Sequence, residues 1–155
     1  MKSGHGLQKK MQGAVAVEFA LLLLPLLLLL LGVAEFGRAL YQYNTLVKTT
    51  RDSVRHLSHL NPASSGYADA KTEATCLAVY GNTTCSGVTL LPGLTTSMVS
   101  INPVNTTTSA GTAITLVEVK ISGYTFNLVL DPRSFLGGGD NSITFGDIHA
   151  TMRQT

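Results

Sequence analysis

Residues 13–36 read GAVAVEFALLLLPLLLLLLGVAEF and decide the architecture of this chain. Between positions 14 and 34 the only charged residue is Glu18. At a rise of about 1.5 Å per residue, a helix over these positions is about 30 Å long, which is the thickness of the hydrocarbon core of a bilayer. We therefore expect a transmembrane helix over residues 14–34, preceded by a short leader over residues 1–13.

The charges on either side of this span predict its orientation. Lys2, Lys9 and Lys10 precede the span without an acidic residue among them, whereas Arg38 and Lys48 follow it. Positive residues favour the cytoplasmic side of a membrane helix. This mild bias predicts a cytoplasmic leader and a C-terminal part outside the cytoplasm.

The helical pattern continues beyond the apolar span. Apolar side chains recur at spacings of four and three, as on one face of a helix: Phe36, Leu40, Tyr43, Val47, Thr50, Val54 and Leu57. The opposite face is polar and contains Arg38, Gln42, Lys48, Arg51 and Arg55. We expect one helix over residues 14–60, ended by Asn61 and Pro62. Its amphipathic second half, residues 35–60, packs on a small domain formed by residues 61–155.

That domain is predicted to contain a second helix and several strands. Helix formers occupy residues 67–80, and Gly81 with Asn82 ends them. Runs rich in β-branched residues follow at positions 88–91, 98–101, 114–121, 124–130 and 143–152. Ser122 and Gly123 suit a tight hairpin turn, and residues 131–141 suit a longer connection. The predicted fold class is α+β, a long N-terminal helix packed on a small antiparallel sheet of three to five strands.

Two cysteines, Cys76 and Cys85, lie nine positions apart in the polar part of the chain. An even pair in a translocated domain indicates one disulfide, and two buried thiols are the alternative. Because neither C-x-x-C spacing nor a paired histidine accompanies them, zinc is not expected. His56 and His59 are interpreted as members of a solvated helix face rather than as metal ligands. We expect neither a metal nor another cofactor.

The composition argues against several classes of function. A net charge of +2 with 13% charged residues gives no basic field suited to nucleic acid. No nucleophile elbow, paired carboxylates or Cys–His arrangement is present, and the glycines at 137–139 lack the lysine and helix of a phosphate loop. An enzyme and a small-molecule substrate are therefore not expected.

Glu18 is the feature of the span that calls for a partner. A carboxylate near the start of a membrane helix is costly in lipid. If the leader is cut after Gly13, Ala14 becomes the N-terminus and Glu18 the fifth residue, so the amino group of a neighbouring subunit can pair with it, as in pilin assembly. The alternative is that Glu18 lies near the cytoplasmic interface and reaches water.

Residues 13–21 (GAVAVEFAL), the leucine run around Pro25, and residues 32–38 (GVAEFGR) form one connected pattern. This pattern resembles the N-terminal signature of the TadE-like family of tight-adherence (Tad) pilus assembly proteins. Residues 49–55 and the C-terminal residues 150–153 are similar to further stretches of that family. Thr49-Thr50 and Ser53-Val54 depart from it, because small Ala and Gly residues are usual there.

The resemblance implies a pseudopilin or minor-pilin-like component with a structural role in pilus biogenesis and adherence. A prepilin peptidase would cut between Gly13 and Ala14. The residues implied in helix packing are Phe19, Pro25, Gly32, Phe36 and Gly37. The implied partners are that peptidase, other pilin-like subunits, the inner-membrane platform of a Tad system and membrane lipid, which places the chain in the bacterial inner membrane.

Two other interpretations remain open. Gly32, Val33 and Ala34 suit an ordinary signal peptidase, which would release a binding protein beginning at Glu35. Alternatively, the chain is an uncleaved anchored protein with an envelope role unrelated to pili. The length of the apolar run and the continuity of the predicted helix argue against the first of these.

Overall fold

The computed structural model describes residues 5–129 and 141–154, with side chains from residue 13 onward. Its helices are α1 (His5–Ser58) and α2 (Tyr67–Tyr80). Its strands are β1 (Val99–Thr107), β2 (Ala113–Ile121), β3 (Thr125–Asn127), β4 (Ser142–Thr144) and β5 (Ile148–Arg153). The predicted α+β class, with a long N-terminal helix and a small antiparallel sheet, is confirmed. Residues 131–140 of the predicted connection lie outside the described residues.

The chain divides into two compact units. Among the described residues, the first unit contains α1 as far as Arg38 together with Val129 and Asn141. The second unit begins at Ala39 and contains the rest of α1, α2 and all five described strands.

In the first unit, α1 presents its leucines and valines to the surroundings. By length and composition this helix is able to cross a membrane, and none of its most apolar stretch is buried within the protein. Pro25 lies inside the helix, which continues on both sides of it. Near the end of the unit, Arg38 Nη2 donates a hydrogen bond of 2.6 Å to Glu35 Oε2 one turn earlier, so these two charges partly neutralise each other.

In the second unit, β2 is the central strand of a three-stranded antiparallel sheet with the order β1-β2-β5. Ile121 of β2 is opposite Val99 of β1 on one side and opposite Ile148 of β5 on the other. Strands β3 and β4 form a separate antiparallel pair, in which Phe126 is opposite Ile143. The two sheets therefore share no hydrogen-bonded strand.

The core lies between the inner face of this sheet and the two helices. Val117 and Val119 of β2 are fully buried against Val54 and Leu57 of α1 and against Ala74 of α2. A second cluster surrounds the fully buried Leu46 of α1, and its other members are Ala78, Val79, Leu91, Leu94, Ile121, Tyr124 and Ile148. Burying a side chain of this size contributes about 1.5–3 kcal/mol, so α1 from Leu46 onward is held mainly by apolar packing.

The buried face of α1 differs from the predicted one. Leu40 and Tyr43 are each 45% exposed, and Phe36 in the first unit is 65% exposed. Gln42, which the pattern placed on the polar face, is only 6% exposed, and Thr49 and Ser53 are also buried. The prediction is correct for Thr50, Val54 and Leu57, which are buried. It was wrong for Leu40, Tyr43 and Gln42, because it treated every apolar side chain as inward-facing and every polar one as outward-facing.

Internal hydrogen bonds explain why Gln42, Thr49 and Thr50 are buried, whereas the Ser53 hydroxyl has no partner among the described residues. The hydroxyl groups of Thr50 and Thr49 donate to the carbonyl oxygen of Leu46, over 2.7 and 3.1 Å. The Tyr124 hydroxyl donates to Gln42 Oε1 over 2.8 Å. A buried polar group costs little when it is hydrogen-bonded, so this helix face accepts them.

Several predicted strand boundaries were also wrong. Residues 88–91 form no strand, because Leu90 bonds back to the carbonyl of Val79 at the end of α2 and Gly87 has a φ of +90°. Of the run 124–130, residues 124–129 are described, and they form a strand only over β3. The run 98–101 begins in a 3-10 turn (Thr96–Met98) and extends into β1.

Two further predictions about the sheet need correction. The run 143–152 is divided into β4 and β5, which belong to different sheets. Ser122 and Gly123 do not form a hairpin, because β2 and β3 are not paired. The hairpin instead joins β1 to β2, and the amide of Gly111 donates to the carbonyl of Thr108 in its turn. At the other boundaries, α2 has the predicted span and ends at Gly81, whereas α1 ends at Ser58, two residues before the expected Leu60.

Ser53→Ala is expected to leave the protein as stable or to stabilise it by about 1–2 kcal/mol. The Ser53 hydroxyl is buried and has no hydrogen-bond partner in the described part of the chain, and such a group carries an uncompensated desolvation cost. Thermal unfolding of the full chain in detergent measures the change. Thr50→Ala is the matched control, since its hydroxyl is bonded, and it is expected to destabilise. A clear loss of stability in Ser53→Ala would contradict this account.

Candidate functional site

The predicted processing and pairing residues lie on the exposed surface of α1 in the first unit. Gly13, Ala14 and Glu18 are all exposed. Glu18 has no hydrogen bond or ion pair with any described residue. A carboxylate among exposed apolar neighbours such as Val17 and Phe19 can accept hydrogen bonds from a cation outside this chain.

The predicted packing residues are on the same helix, and no other described part of the chain packs against them. Phe19 is 63% exposed, and Pro25 is exposed as well. A Cβ atom added at Gly32 or Gly37 would meet no described atom within 4 Å. Glycine inside a helix costs about 0.5–1 kcal/mol relative to alanine, and no packing within the described chain offsets that cost. The two glycines therefore leave room for close approach by another helix.

The structure joins Cys76 and Cys85 by a disulfide. Cys76 is buried in α2, and Cys85 is exposed in the loop that follows the helix. In the same loop, Asn82 Oδ1 accepts hydrogen bonds from the amides of Thr84 and Ser86, over 3.1 and 3.2 Å. The bond and these contacts hold the loop that leads to Leu91 and Leu94 in the core.

The two histidines predicted on a solvated helix face differ in their surroundings. The His56 side chain is 30% exposed, and its Nε2 lies 3.0 Å from Glu73 Oε2, which links α1 to α2. His59 is exposed. Within the part of the chain that the structure describes, no three His, Cys, Asp or Glu side chains are grouped as metal ligands.

One surface ion pair, between Lys120 and Asp147, changes the pKa of its lysine. The hydrogen bond from Lys120 to Asp147, and the charge of that carboxylate, raise the pKa of the Lys120 amine. The pair therefore contributes fully below the ordinary lysine pKa of about 10.4 and loses its contribution as pH rises through the raised pKa. Since both groups are at the surface, this contribution is strongly screened by solvent.

The comparison with known families finds one match, in the N-terminal part of the chain. Residues 13–55 match the family model described as TadE-like protein. Over this segment the chain is similar to that family. The match confirms the resemblance, and it ends at Arg55, within α1, so α2 and the strands lie outside it. No curated protein and no solved structure matches the chain.

One residue of the TadE-like segment, Gln42, forms a hydrogen bond with a residue outside it that the sequence pattern did not reveal. Gln42 and Tyr124 are eighty-two positions apart, and their hydrogen bond fixes the rotation of α1 against the domain. The amphipathic pattern placed Gln42 on the opposite face. The position of an aromatic hydroxyl so far along the chain carries no local signal, so only the fold shows this pair.

Replacing both cysteines with serine is expected to destabilise the second unit by about 2–3 kcal/mol, because a disulfide closing a loop of this length removes that much unfolded-state entropy. Thermal unfolding of the full-length double variant measures the loss. Thiol labelling of the unfolded, unreduced wild type is expected to find no free thiol. Labelling of both cysteines would contradict the bonded state.

Proposed function

We propose that this protein is a membrane-anchored, pseudopilin-like component of a Tad pilus assembly system, with a structural rather than catalytic role. One observation carries the proposal. The TadE-like match falls on the helix whose length and composition suit a membrane span. An apolar surface of this extent, with none of it buried in the chain, needs lipid or other apolar helices around it.

In this proposal residues 14–34 cross the bacterial inner membrane, and residues 1–13 are a cytoplasmic leader. The lysines before the span support that orientation. The domain that begins with the second half of α1 then lies in the periplasm or outside the cell. The disulfide between Cys76 and Cys85 is compatible with an oxidising compartment.

Glu18 would pair with the amino group of a neighbouring pilin-like subunit. Its exposed carboxylate lacks a partner among the described residues, and an ion in hydrocarbon is stabilised by pairing. Phe19, Gly32 and Gly37 would form packing contacts with neighbouring helices, since aromatic and small residues both promote close helix association. Other pilin-like subunits and the inner-membrane platform of the Tad system are the proposed partners, together with a prepilin peptidase that removes the leader.

The intact mass of the protein from its native membrane is expected to give an N-terminus at Ala14. A Gly13→Val variant, which adds bulk at the scissile bond, is expected to retain the leader, whereas Gly6→Val within the leader should be processed normally. A soluble form beginning at Glu35 would indicate an exported binding domain instead. An uncut chain in the membrane would contradict pilin-type processing.

A Glu18→Gln variant is expected to lose pilus assembly at unchanged abundance, because an amide of the same size cannot neutralise an amine in lipid. Glu18→Asp, which keeps the charge, is the matched variant and should retain part of the assembly. Pili are counted on cells whose membrane levels of the protein are equal. Normal assembly by Glu18→Gln would remove the proposed role of this carboxylate.

A further inference from the structure

An uncommitted basic stripe runs along the outer face of α1 in the second unit. Lys48, Arg51 and Arg55 are spaced by three and four residues, so their side chains lie on one face of the helix. All three residues are exposed, and none of the three side chains has an ion pair or hydrogen bond with a described residue. Two other lysines in this unit do have partners. Lys120 is paired with Asp147, and the Lys71 amine lies over the Tyr67 ring.

The stripe begins beside two exposed apolar side chains. Leu40 is 45% exposed and Tyr41 is 68% exposed, and both lie about two turns before Lys48 on neighbouring parts of the same face. Tyrosine and arginine are the residue types most enriched at energetic hot spots of protein interfaces. An apolar end followed by three cations is thus a surface of the composition that binds protein.

An open groove of about 520 Å³ lies alongside the stripe. On one side it is lined by α1 residues from Tyr41 to Asp52, which include the cation of Lys48 and the carboxylate of Asp52, whereas Arg51 and Arg55 lie outside its lining. On the other side it is lined by Leu77 of α2 and by Gly81 and Leu90 of the following loop. From Tyr41 to Asp52 the helix rises about 16 Å, so the groove is long enough for about three turns of a second helix.

We propose that this surface docks an acidic amphipathic helix of a different envelope protein. Apolar side chains of that helix would enter the groove over Leu77 and Leu90, and its carboxylates would pair with Arg51 and Arg55. Guanidinium groups match carboxylates through two parallel hydrogen bonds, which favours a patterned protein partner. The proposal rests on the proposed function and names the chemistry of one partner subunit.

A second copy of this chain fits the surface poorly. Two such stripes facing each other would bring together three cations and only one carboxylate, Asp52, from each copy. Elsewhere in the described part of the second unit, Glu73 and Asp147 are already paired, and Asp69 and Glu118 lie on different elements. The described residues therefore offer no row of carboxylates to match the stripe.

Site-specific photo-crosslinking in cells tests the docking. A benzophenone amino acid is placed at Asn44, which is exposed and lines the groove between Tyr41 and Lys48, in the full-length protein. The adduct is identified by mass spectrometry. We expect an adduct with a different polypeptide, and about a tenfold lower yield in the R51E/R55E background, as loss and reversal of two charge pairs implies.

The matched control is K71E/R153E, which changes the net charge equally at exposed or half-exposed positions away from the stripe. It should leave the yield unchanged, and R51Q/R55Q should lower it without adding repulsion. Closure of the Cys76–Cys85 bond and an unchanged unfolding temperature confirm that each variant is folded. Converting the crosslinked partner's facing carboxylates to lysine should restore the yield in R51E/R55E.

Four outcomes would overturn the inference: no adduct in the wild type, an adduct with a second copy of this chain, an adduct with phospholipid, or a yield that is indifferent to R51E/R55E. Failure here is separable from failure of the proposed function. An N-terminus at Ala14 together with any of these outcomes would leave the pseudopilin-like role in place and remove only the docking surface.

Discussion

The packing of α1 against the inner face of β2 is the contact on which the second unit depends. Val117, Val119 and Ile121 of β2 are almost fully buried, and Leu46, Val54 and Leu57 of α1 belong to the same two apolar clusters. Because β1 and β5 pair only with β2, their position follows from this contact. Helix α2 and the residues leading to Leu94 close the remaining side. A sheet of three strands has too little apolar surface of its own, so the helix supplies the other half of the core.

Satisfied polar groups determine how α1 is rotated on that sheet. The hydroxyl groups of Thr49 and Thr50 bond within the helix, and Gln42 bonds to Tyr124, so these residues are buried with little penalty. Gln154, which follows β5, is also bonded to the helices, since its side-chain amide donates to the Tyr67 hydroxyl over 2.7 Å, although its buried Oε1 has no partner among the described residues. Rotation in this sense directs Tyr41, Lys48 and Arg55 outward, which makes them available as an interaction surface.

The two units present different kinds of surface, and each suits a different environment. In the first, exposed leucines surround the Glu18 carboxylate, which has no partner among the described residues, and this combination is stable in lipid only with a partner. In the second, no charged residue occurs between Glu73 and Glu118, so cations are concentrated on the outer face of α1. The TadE-like match covers the exposed span and that basic face and ends before α2. The matched segment therefore contains both of these exposed surfaces.

Sequence alone determined the features that depend on local periodicity and composition. Local signals predicted the apolar run around Pro25, the extent of α2 and its end at Gly81, the α+β class and the TadE-like resemblance. These signals were sufficient because helix periodicity, glycine and hydropathy act over a few residues. The run 88–91 was read as a strand because β-branched content does not record where a backbone amide finds its acceptor, which here is Val79. Tertiary structure decided the division of 143–152 between two sheets, the burial of Gln42 and the position of Lys48 beside Leu77 and Leu90 in one groove. They depend on partners such as Tyr124 and Leu90, which are too far along the chain for a local sequence pattern to indicate them.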